Sequence, residues 1–243
     1  MMRRLCSYIL IFLFPALLLA QRNDSLHYYV GYSSTGTYNR TNNFISYLFS
    51  NNLNFSVKRE ALKANFQNKW LYGEQQSKLV NNDFSSTFDL NLYKTFPHFY
   101  YWALCTYNTA YSLKINSQLQ FGFGGAYNLI DKKNFQLNIS DGILYDYSDI
   151  YIQDTIRDIY QTPRNSFRLQ IRFLWKRLNF QSISFLQNSL QRQSDYIFRT
   201  DNTLGLKIKS WLSLTAKFSY NRMNRTDKEN LFVTYGLTID KSF

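Results

Sequence analysis

Apolar and polar residues alternate along much of the chain, with the period of two that is typical of β-strands. The last segment shows this most clearly, because every odd position from Leu231 to Ile239 is apolar and the even positions from Thr234 are small or polar. Residues 62–72, 119–129, 135–147, 167–176 and 204–220 alternate in the same way. In a transmembrane barrel one such face meets lipid and the other meets the lumen. The pattern therefore predicts a membrane barrel.

The alternating segments and the turn signals between them predict twelve strands. They cover residues 26–38, 42–57, 61–73, 83–94, 98–110, 115–129, 134–147, 165–175, 178–190, 196–208, 211–223 and 230–242. The count is even, as in single-chain bacterial barrels, and after residue 20 no apolar run is long enough for a membrane-spanning helix. We predict an all-β protein, an antiparallel up-and-down transmembrane β-barrel of about 12 strands.

The lengths of the connections support this architecture. With both termini in the periplasm, every second connection, starting with the one after the second strand, should be a short periplasmic turn. Short connections are found at these places, near residues 58–60, 95–97, 130–133, 176–177 and 209–210. Longer surface loops are expected at 74–82, 148–164 and 223–229, whereas the short connection at 111–114 departs from the pattern. A soluble β-sandwich is the alternative, but it gives no reason for Phe, Trp and Tyr to crowd the strand ends, as they do in interfacial girdles.

The two ends of the chain carry export and assembly signals. Residues 1–20 read as a signal peptide, with Arg3 and Arg4 before a short apolar stretch, so the barrel is expected to occupy residues 21–243. An N-terminal anchor helix is the other interpretation of this segment. The final strand resembles the signal that barrel-assembly machinery reads, carried by Tyr235, Leu237, Ile239 and Phe243. We expect the outer membrane of a Gram-negative bacterium, with its lipid and that machinery as partners. The oligomeric state is left open.

The net charge of +12 comes from Lys and Arg residues scattered along the chain. Nucleic-acid binders concentrate their basic residues, so this class of partner is not expected. The alternation instead turns eight cations toward the lumen: Lys63, Lys69, Arg168, Arg172, Lys176, Lys207, Lys209 and Lys217. They could line a narrow anion-preferring path, since rings of Lys and Arg select anions. Alternatively they reach the rims or pair across a filled interior, with Asp89 and Asp240 as the inward carboxylates.

Residues for catalysis or metal binding are sparse. His27 and His98 are placed at the periplasmic edge, away from the outer leaflet, and no His/Cys cluster exists. One predicted loop contains four acidic residues, Asp146, Asp149, Asp154 and Asp158. We expect this loop to be solvated, and binding of a calcium ion is the alternative. With Cys105 alone in the expected mature chain, no disulfide can form. Neither an enzyme, a cofactor nor a metal site is predicted.

Residues 115–147 contain a glycine-rich strand, a short turn and a second strand ending in glycine and tyrosine. The positions are Gly122, Gly124, Gly125, Tyr127, Gly142 and Tyr145. This stretch resembles the YdiY-like family of salt-induced outer-membrane proteins, a domain of unknown function, and the similarity extends over most of residues 26–243. Tyr38-Asn39 departs from the Gly-Asn pair more usual in that family. The resemblance implies an outer-membrane barrel and no particular activity.

Three functions follow from these observations. The first is a structural or interaction barrel whose surface loops are its active part. The second is a small anion-selective, porin-like channel, and the third is a lipid-modifying enzyme.

Overall fold

The computed structural model describes residues 26–41, 44–152 and 156–242. Their twelve strands form one closed barrel in which each strand pairs antiparallel with its neighbours in sequence and β12 closes on β1. The strands are β1 (Leu26–Thr41), β2 (Phe44–Arg59), β3 (Leu62–Gln75), β4 (Lys78–Phe96), β5 (Phe99–Ala110), β6 (Ile115–Lys132), β7 (Phe135–Ile152), β8 (Ile156–Trp175), β9 (Leu178–Ser189), β10 (Tyr196–Lys209), β11 (Leu212–Met223) and β12 (Lys228–Ser242). The predicted fold class and strand count are confirmed.

The alternation of side chains explains why these residues form a barrel. On β12, Val233 and Tyr235 are 55% and 64% exposed on the outer face, whereas Thr234 between them is 3% exposed on the inner face. Successive side chains of a strand point to opposite faces, so the apolar set covers the outside and the polar set lines the inside. Closure leaves no free strand edge, and every strand has two hydrogen-bonded neighbours.

The connections divide between two ends of the barrel. The terminal end, where β1 begins and β12 finishes, has two-residue connections at 60–61, 97–98, 133–134, 176–177 and 210–211. The opposite end, called the far end here, has connections at 76–77, 111–114, 190–195 and 224–227, together with two that contain residues outside the described ranges. The predicted short turns therefore lie together at the terminal end.

The three long loops predicted for the far end are wrong. Residues 74–82 contain only a two-residue turn, and residues 223–229 contain a connection of four residues. Most of 148–164 belongs to β7 and β8, which continue to pair at Asp149↔Ile159 and Ile150↔Asp158. Their polar residues suggested solvent, but much of this polarity faces the barrel interior, where Ser148 and Arg164 are fully buried.

The buried apolar core lies inside the far end. It consists of Ala110, Leu113, Ile115, Ile150, Tyr160, Ile197 and Met223. These residues come from strand ends and from the β5–β6 connection, so they close over the lumen instead of packing between two layers. Among the described residues, no helix has the length and apolar character needed to cross a membrane.

Candidate functional site

A cavity of about 980 Å³ occupies the barrel interior. At the terminal end its lining reaches the connections at 133–134 and 176–177, and toward the far end it stops at Leu113 and Ile115 of the buried core. None of the far-end connections at 76–77, 190–195 and 224–227 contributes to the lining. Over the residues that the structure describes, the cavity thus extends from the terminal end to the packed far end.

The β5–β6 connection folds across the lumen. Leu113, at its centre, is 2% exposed and packs against Ile150, Ile197 and the rest of the core. Ser112 beside it accepts a hydrogen bond of 2.5 Å from the Asn230 amide on β12, on the other side of the barrel. Ser112 also bonds to the Asp83 carboxylate through its backbone amide, at 3.1 Å, and through its hydroxyl. These contacts hold the connection inward.

Buried ion pairs complete the closure. Arg164 on β8 is fully buried, and its Nε and Nη2 atoms lie 2.5 Å from Asp146 and 2.9 Å from Asp195. Arg225 on the β11–β12 connection lies 3.2 Å from Asp195 and 2.8 Å from Asp158. Two arginines thus join β7, β8 and two connections. With the buried core, this network forms a unit that we call the far-end plug.

The arginines of the plug are all paired with carboxylates. The Arg225 guanidinium also lies 3.6 Å from the centre of the Tyr160 ring, a cation–π contact. Burial alone would lower the pKa of Arg225, but the hydrogen bonds and charges of Asp158 and Asp195 outweigh it and raise the pKa. Arg157 nearby forms a two-atom contact with Asp149 at 2.9 and 2.7 Å. Each arginine here is therefore held by at least one carboxylate, and a buried charge needs such a partner.

The cavity, by contrast, carries excess positive charge. Its lining contains nine cations and four carboxylates, Lys69, Lys133, Arg168, Arg172, Lys176, Arg177, Arg199, Lys207 and Lys217 against Asp83, Asp89, Asp201 and Asp240. Within the described ranges only one of these cations forms an ion pair: Lys69 on β3 contacts Asp201 on β10, at 2.8 Å. Since β3 and β10 are not neighbours, this pair bridges the lumen.

Other polar bridges narrow the interior. Arg168 on β8 donates to the Tyr100 hydroxyl on β5 at 3.1 Å, and Tyr100 donates to Asn138 on β7 at 3.2 Å. Nearer the plug, Gln120 on β6 bonds to Gln187 on β9, also at 3.1 Å. Bonds between non-neighbouring strands are possible because a barrel of this size is narrow enough for side chains to meet inside it.

The predicted cations occupy three kinds of position. Lys69, Arg168, Arg172, Lys176, Lys207 and Lys217 line the cavity. Lys63 does not, but it lies on the inner face of β3 within electrostatic reach of Asp89 and Arg172. Lys209 differs from the prediction: it is exposed at the terminal end, with its Nζ atom 5.9 Å from the centre of the Trp211 ring. A register shift between Lys207 and Lys209 accounts for this, because it interrupts the alternation.

Lys176 also departs from a simple strand position. It lies in the β8–β9 turn with a φ of 52°, and its Nζ atom is 5.4 Å from the centre of the Trp175 ring. It therefore contributes to the cavity from the rim and not from the wall.

Several functional residues were missed by the sequence reasoning. Arg199 and Asp201 follow from extending the alternation of residues 204–220 toward the start of β10. The inward positions of Asp146 and Arg164 follow from the alternation of their strands in the same way. Because a loop was expected at 148–164, the ion pair between these two side chains was not predicted. Nothing in the spacing indicates Asp195 and Arg225, because both lie in connections.

The remaining predicted residues are placed as follows. His27 is near the start of β1 and His98 is in the β4–β5 turn, both at the terminal end. Asp146, Asp149 and Asp158 belong to strands and pair with arginines instead of forming an open acidic loop; Asp154 lies outside the described residues. No group of three or more metal-ligating side chains occurs in the part of the chain that the structure describes.

The residues predicted for assembly lie on the outer face of β12. Tyr235, Leu237 and Ile239 are 64%, 49% and 50% exposed. Phe243 and the predicted signal peptide at 1–20 lie outside the described residues.

A family model described as "Protein of unknown function, DUF481" matches residues 38–238, most of the chain. The chain belongs to the DUF481 family. The resemblance noted for the glycine-rich strands is confirmed at this level, and the member described here is a closed β-barrel of unknown role. None of the curated proteins compared with this DUF481 sequence matches it.

Solved outer-membrane barrels resemble this DUF481 protein in fold. The NanC porin is 7% identical, with 86% of this chain and 98% of that chain covered and a TM-score of 0.55. An outer membrane channel from Pseudomonas putida F1 is 11% identical, with coverages of 91% and 97% and a TM-score of 0.49. The translocator domain of the autotransporter NalP from Neisseria meningitidis is 10% identical, with coverages of 92% and 91% and a TM-score of 0.46. The NanC comparison shows a likeness in fold alone.

Proposed function

We propose that the protein resides in the outer membrane of a Gram-negative bacterium as a closed barrel, with its terminal end in the periplasm. The apolar outer face, with Val233 and Tyr235 among its exposed residues, supports contact with lipid. The outward residues of β12, namely Tyr235, Leu237 and Ile239, are the surface that we assign to barrel-assembly machinery. The short terminal-end turns support the orientation, since periplasmic turns are the short ones.

The far-end plug is the observation that supports the functional part of the proposal, a barrel that does not conduct at rest. A constitutive pore needs a continuous wet path, but within the described ranges the buried residues of the far-end plug, Leu113 among them, lie across the lumen at the far end of the cavity. With short connections in place of the expected loops at 74–82 and 223–229, the described far-end surface consists of the connections at 76–77, 190–195 and 224–227 and the extended ends of β7 and β8. We assign the interaction role of the barrel to this surface. The protein is thus expected to be a non-conducting barrel in its resting state.

Conductance across planar bilayers tests the closed state. Refolded wild-type protein should give no steady current, whereas the double variant Leu113→Ser with Arg225→Ser should conduct because both a core residue and an ion-pair partner of the plug are lost. Arg192→Ser is the matched control, since Arg192 is an exposed cation of the same end and lies outside the plug. Steady current from the wild-type protein would refute the proposal.

An anion-preferring path is the second candidate, and the nine cations of the cavity favour it. In this case the plug acts as a gate, and ions that pass it meet a positive wall. The conducting double variant should show a reversal potential displaced toward that of chloride in a KCl gradient. Adding Lys207→Gln and Lys217→Gln should reduce this displacement, because both residues line the cavity. A cation-selective reversal potential would eliminate this candidate.

A further inference from the structure

Cations gather at the terminal end of the cavity without matching carboxylates. Lys58 on β2 and Lys63 on β3 are directly opposite each other in the strand register. Arg172 on β8 lies within electrostatic reach of Lys63 from across the barrel, and Arg168 stands two inward positions nearer the start of the same strand, with Gln170 between them. Like charges directly opposite each other destabilise a sheet, so this arrangement costs stability. We call Lys58, Lys63, Arg168 and Arg172 the cationic mouth.

The carboxylates near the mouth do not neutralise it. Asp89 accepts hydrogen bonds from Asn65 at 2.7 Å and from Asn91 at 2.6 Å, so neutral amides occupy one of its oxygens. Asp240 is the other acid near Arg172, on the opposite wall beside Tyr29. Within the described ranges no carboxylate lies at ion-pair distance from any of the four mouth cations.

One of these cations has unused hydrogen-bonding capacity. The Arg168 Nε atom is buried and has no hydrogen-bond partner among the described residues, while its Nη2 atom donates to Tyr100. Tyr100 packs against Tyr93, with ring centres 4.7 Å apart, and Lys58 stands 5.9 Å from the centre of the Tyr93 ring. Aromatic rings thus hold two of the cations in place. A buried donor without a partner is costly, and an anionic acceptor would satisfy it.

We propose that the cationic mouth binds a small anion carrying two or more phosphate or carboxylate groups. Guanidinium groups bind such oxyanions with two parallel hydrogen bonds, and the two lysines add charge from the facing wall. The cavity of about 980 Å³ is large enough for a metabolite-sized ligand. Because the cavity lining reaches the terminal end, where the mouth cations lie, the anion enters through the terminal end.

Isothermal titration of the refolded full-length protein with pyrophosphate tests this proposal. Wild-type protein should bind it, and Arg168→Gln with Arg172→Gln should weaken binding by about tenfold or more, since charge-assisted hydrogen bonds are lost. Lys58→Gln with Lys63→Gln should weaken it less, because these residues act as point charges. Lys209→Gln is the matched control, as an exposed terminal-end cation outside the mouth, with its Nζ atom near the Trp211 ring.

The outcomes separate specific binding from general attraction. Absence of binding by the wild-type protein at millimolar pyrophosphate would overturn the proposal, as would an equal loss of affinity in Lys209→Gln. Competition by citrate would support a site for soluble polyanions. If micelles of a lysophosphatidic acid bind and pyrophosphate and citrate do not, the site recognises a lipid headgroup and the soluble ligand is refuted. Heat-modifiable migration of each variant verifies folding. The closed state is tested separately by conductance, so either proposal can fail without the other.

Discussion

A fully buried arginine between two buried aspartates dominates the interior at the residue scale. Arg164 forms ion pairs with Asp146 and Asp195, which are themselves 0% and 1% exposed. Removing one partner of such a network leaves a charge without compensation, and this costs more than the network itself contributes. The residue is therefore expected to be sensitive to substitutions that preserve its size and remove its charge.

We predict that Arg164→Gln lowers the free energy of unfolding by about 3–5 kcal/mol. Urea unfolding of the refolded barrel, followed by tryptophan fluorescence, measures this change. Arg192→Gln removes the same charge from an exposed position of the β9–β10 connection and should change stability by about 0.5 kcal/mol or less. Equal effects of the two substitutions would contradict the role assigned to Arg164.

Side-chain parity, the alternation of side chains between the inner and outer faces of a strand, determined how much of the site could be predicted at this scale. It placed Lys69 and Asp240 on the inner face because their strands alternate cleanly. It misplaced Lys209, where the register shifts, and it could not reveal that Arg225 reaches Asp158 on a strand far away in sequence. Parity specifies a face, whereas contacts across the lumen depend on the closed shape of the barrel.

At the element scale, the glycines of β6 and β7 make room for one indole ring. Gly124 and Gly142 are opposite each other in the register, and Trp102 of the neighbouring strand lies over them on the inner face. A Cβ atom at Gly142 would stand 2.5 Å from the Trp102 ring and closer still to the Phe123 carbonyl oxygen. The Trp102 indole donates to the Gly125 carbonyl oxygen at 3.2 Å. The glycine motif is thus a packing site for Trp102.

Gly142→Ala is predicted to destabilise the barrel by about 1–3 kcal/mol, the usual cost of overpacking. Gly205→Ala is its control: a Cβ at this inward glycine of β10 would meet only Asn179, at 3.8 Å or more. The midpoint of heat-modifiable gel migration should fall for Gly142→Ala and stay near the wild-type value for Gly205→Ala. A tolerated alanine at position 142 would show that Trp102 can repack.

The strands were more predictable than their connections. All twelve were recognised from alternation together with the turn signals between segments, although alternation is blurred around residues 99–105 and 180–190, in β5 and β9. The extensions of β7 and β8 were taken for a loop because the segment from Ser148 to Arg164 is rich in polar residues. In a barrel with a polar interior, polarity alone does not distinguish a strand from a loop.

At the scale of the whole molecule, the proposed orientation can be tested with single cysteines. In a Cys105→Ser background, Gln193→Cys introduces a thiol on the exposed β9–β10 connection at the far end, and Ser210→Cys introduces one at the terminal end. An impermeant maleimide should label Gln193→Cys on intact cells, and Ser210→Cys only after the outer membrane is permeabilised. The reverse pattern would invert the orientation, and labelling of neither thiol on intact cells would contradict the location.

The contacts that hold the far-end plug also determine when it can form during folding. The bond from Asn230 to Ser112 joins residues 118 positions apart in sequence, and the Arg225–Asp158 contact spans 67 positions. Contacts between such distant residues carry a large loop-closure cost until the intervening strands have paired. We therefore expect the wall to close first and the plug to consolidate last. A newly inserted barrel should pass through a transient leaky stage, visible as a brief burst of dye release from liposomes during refolding.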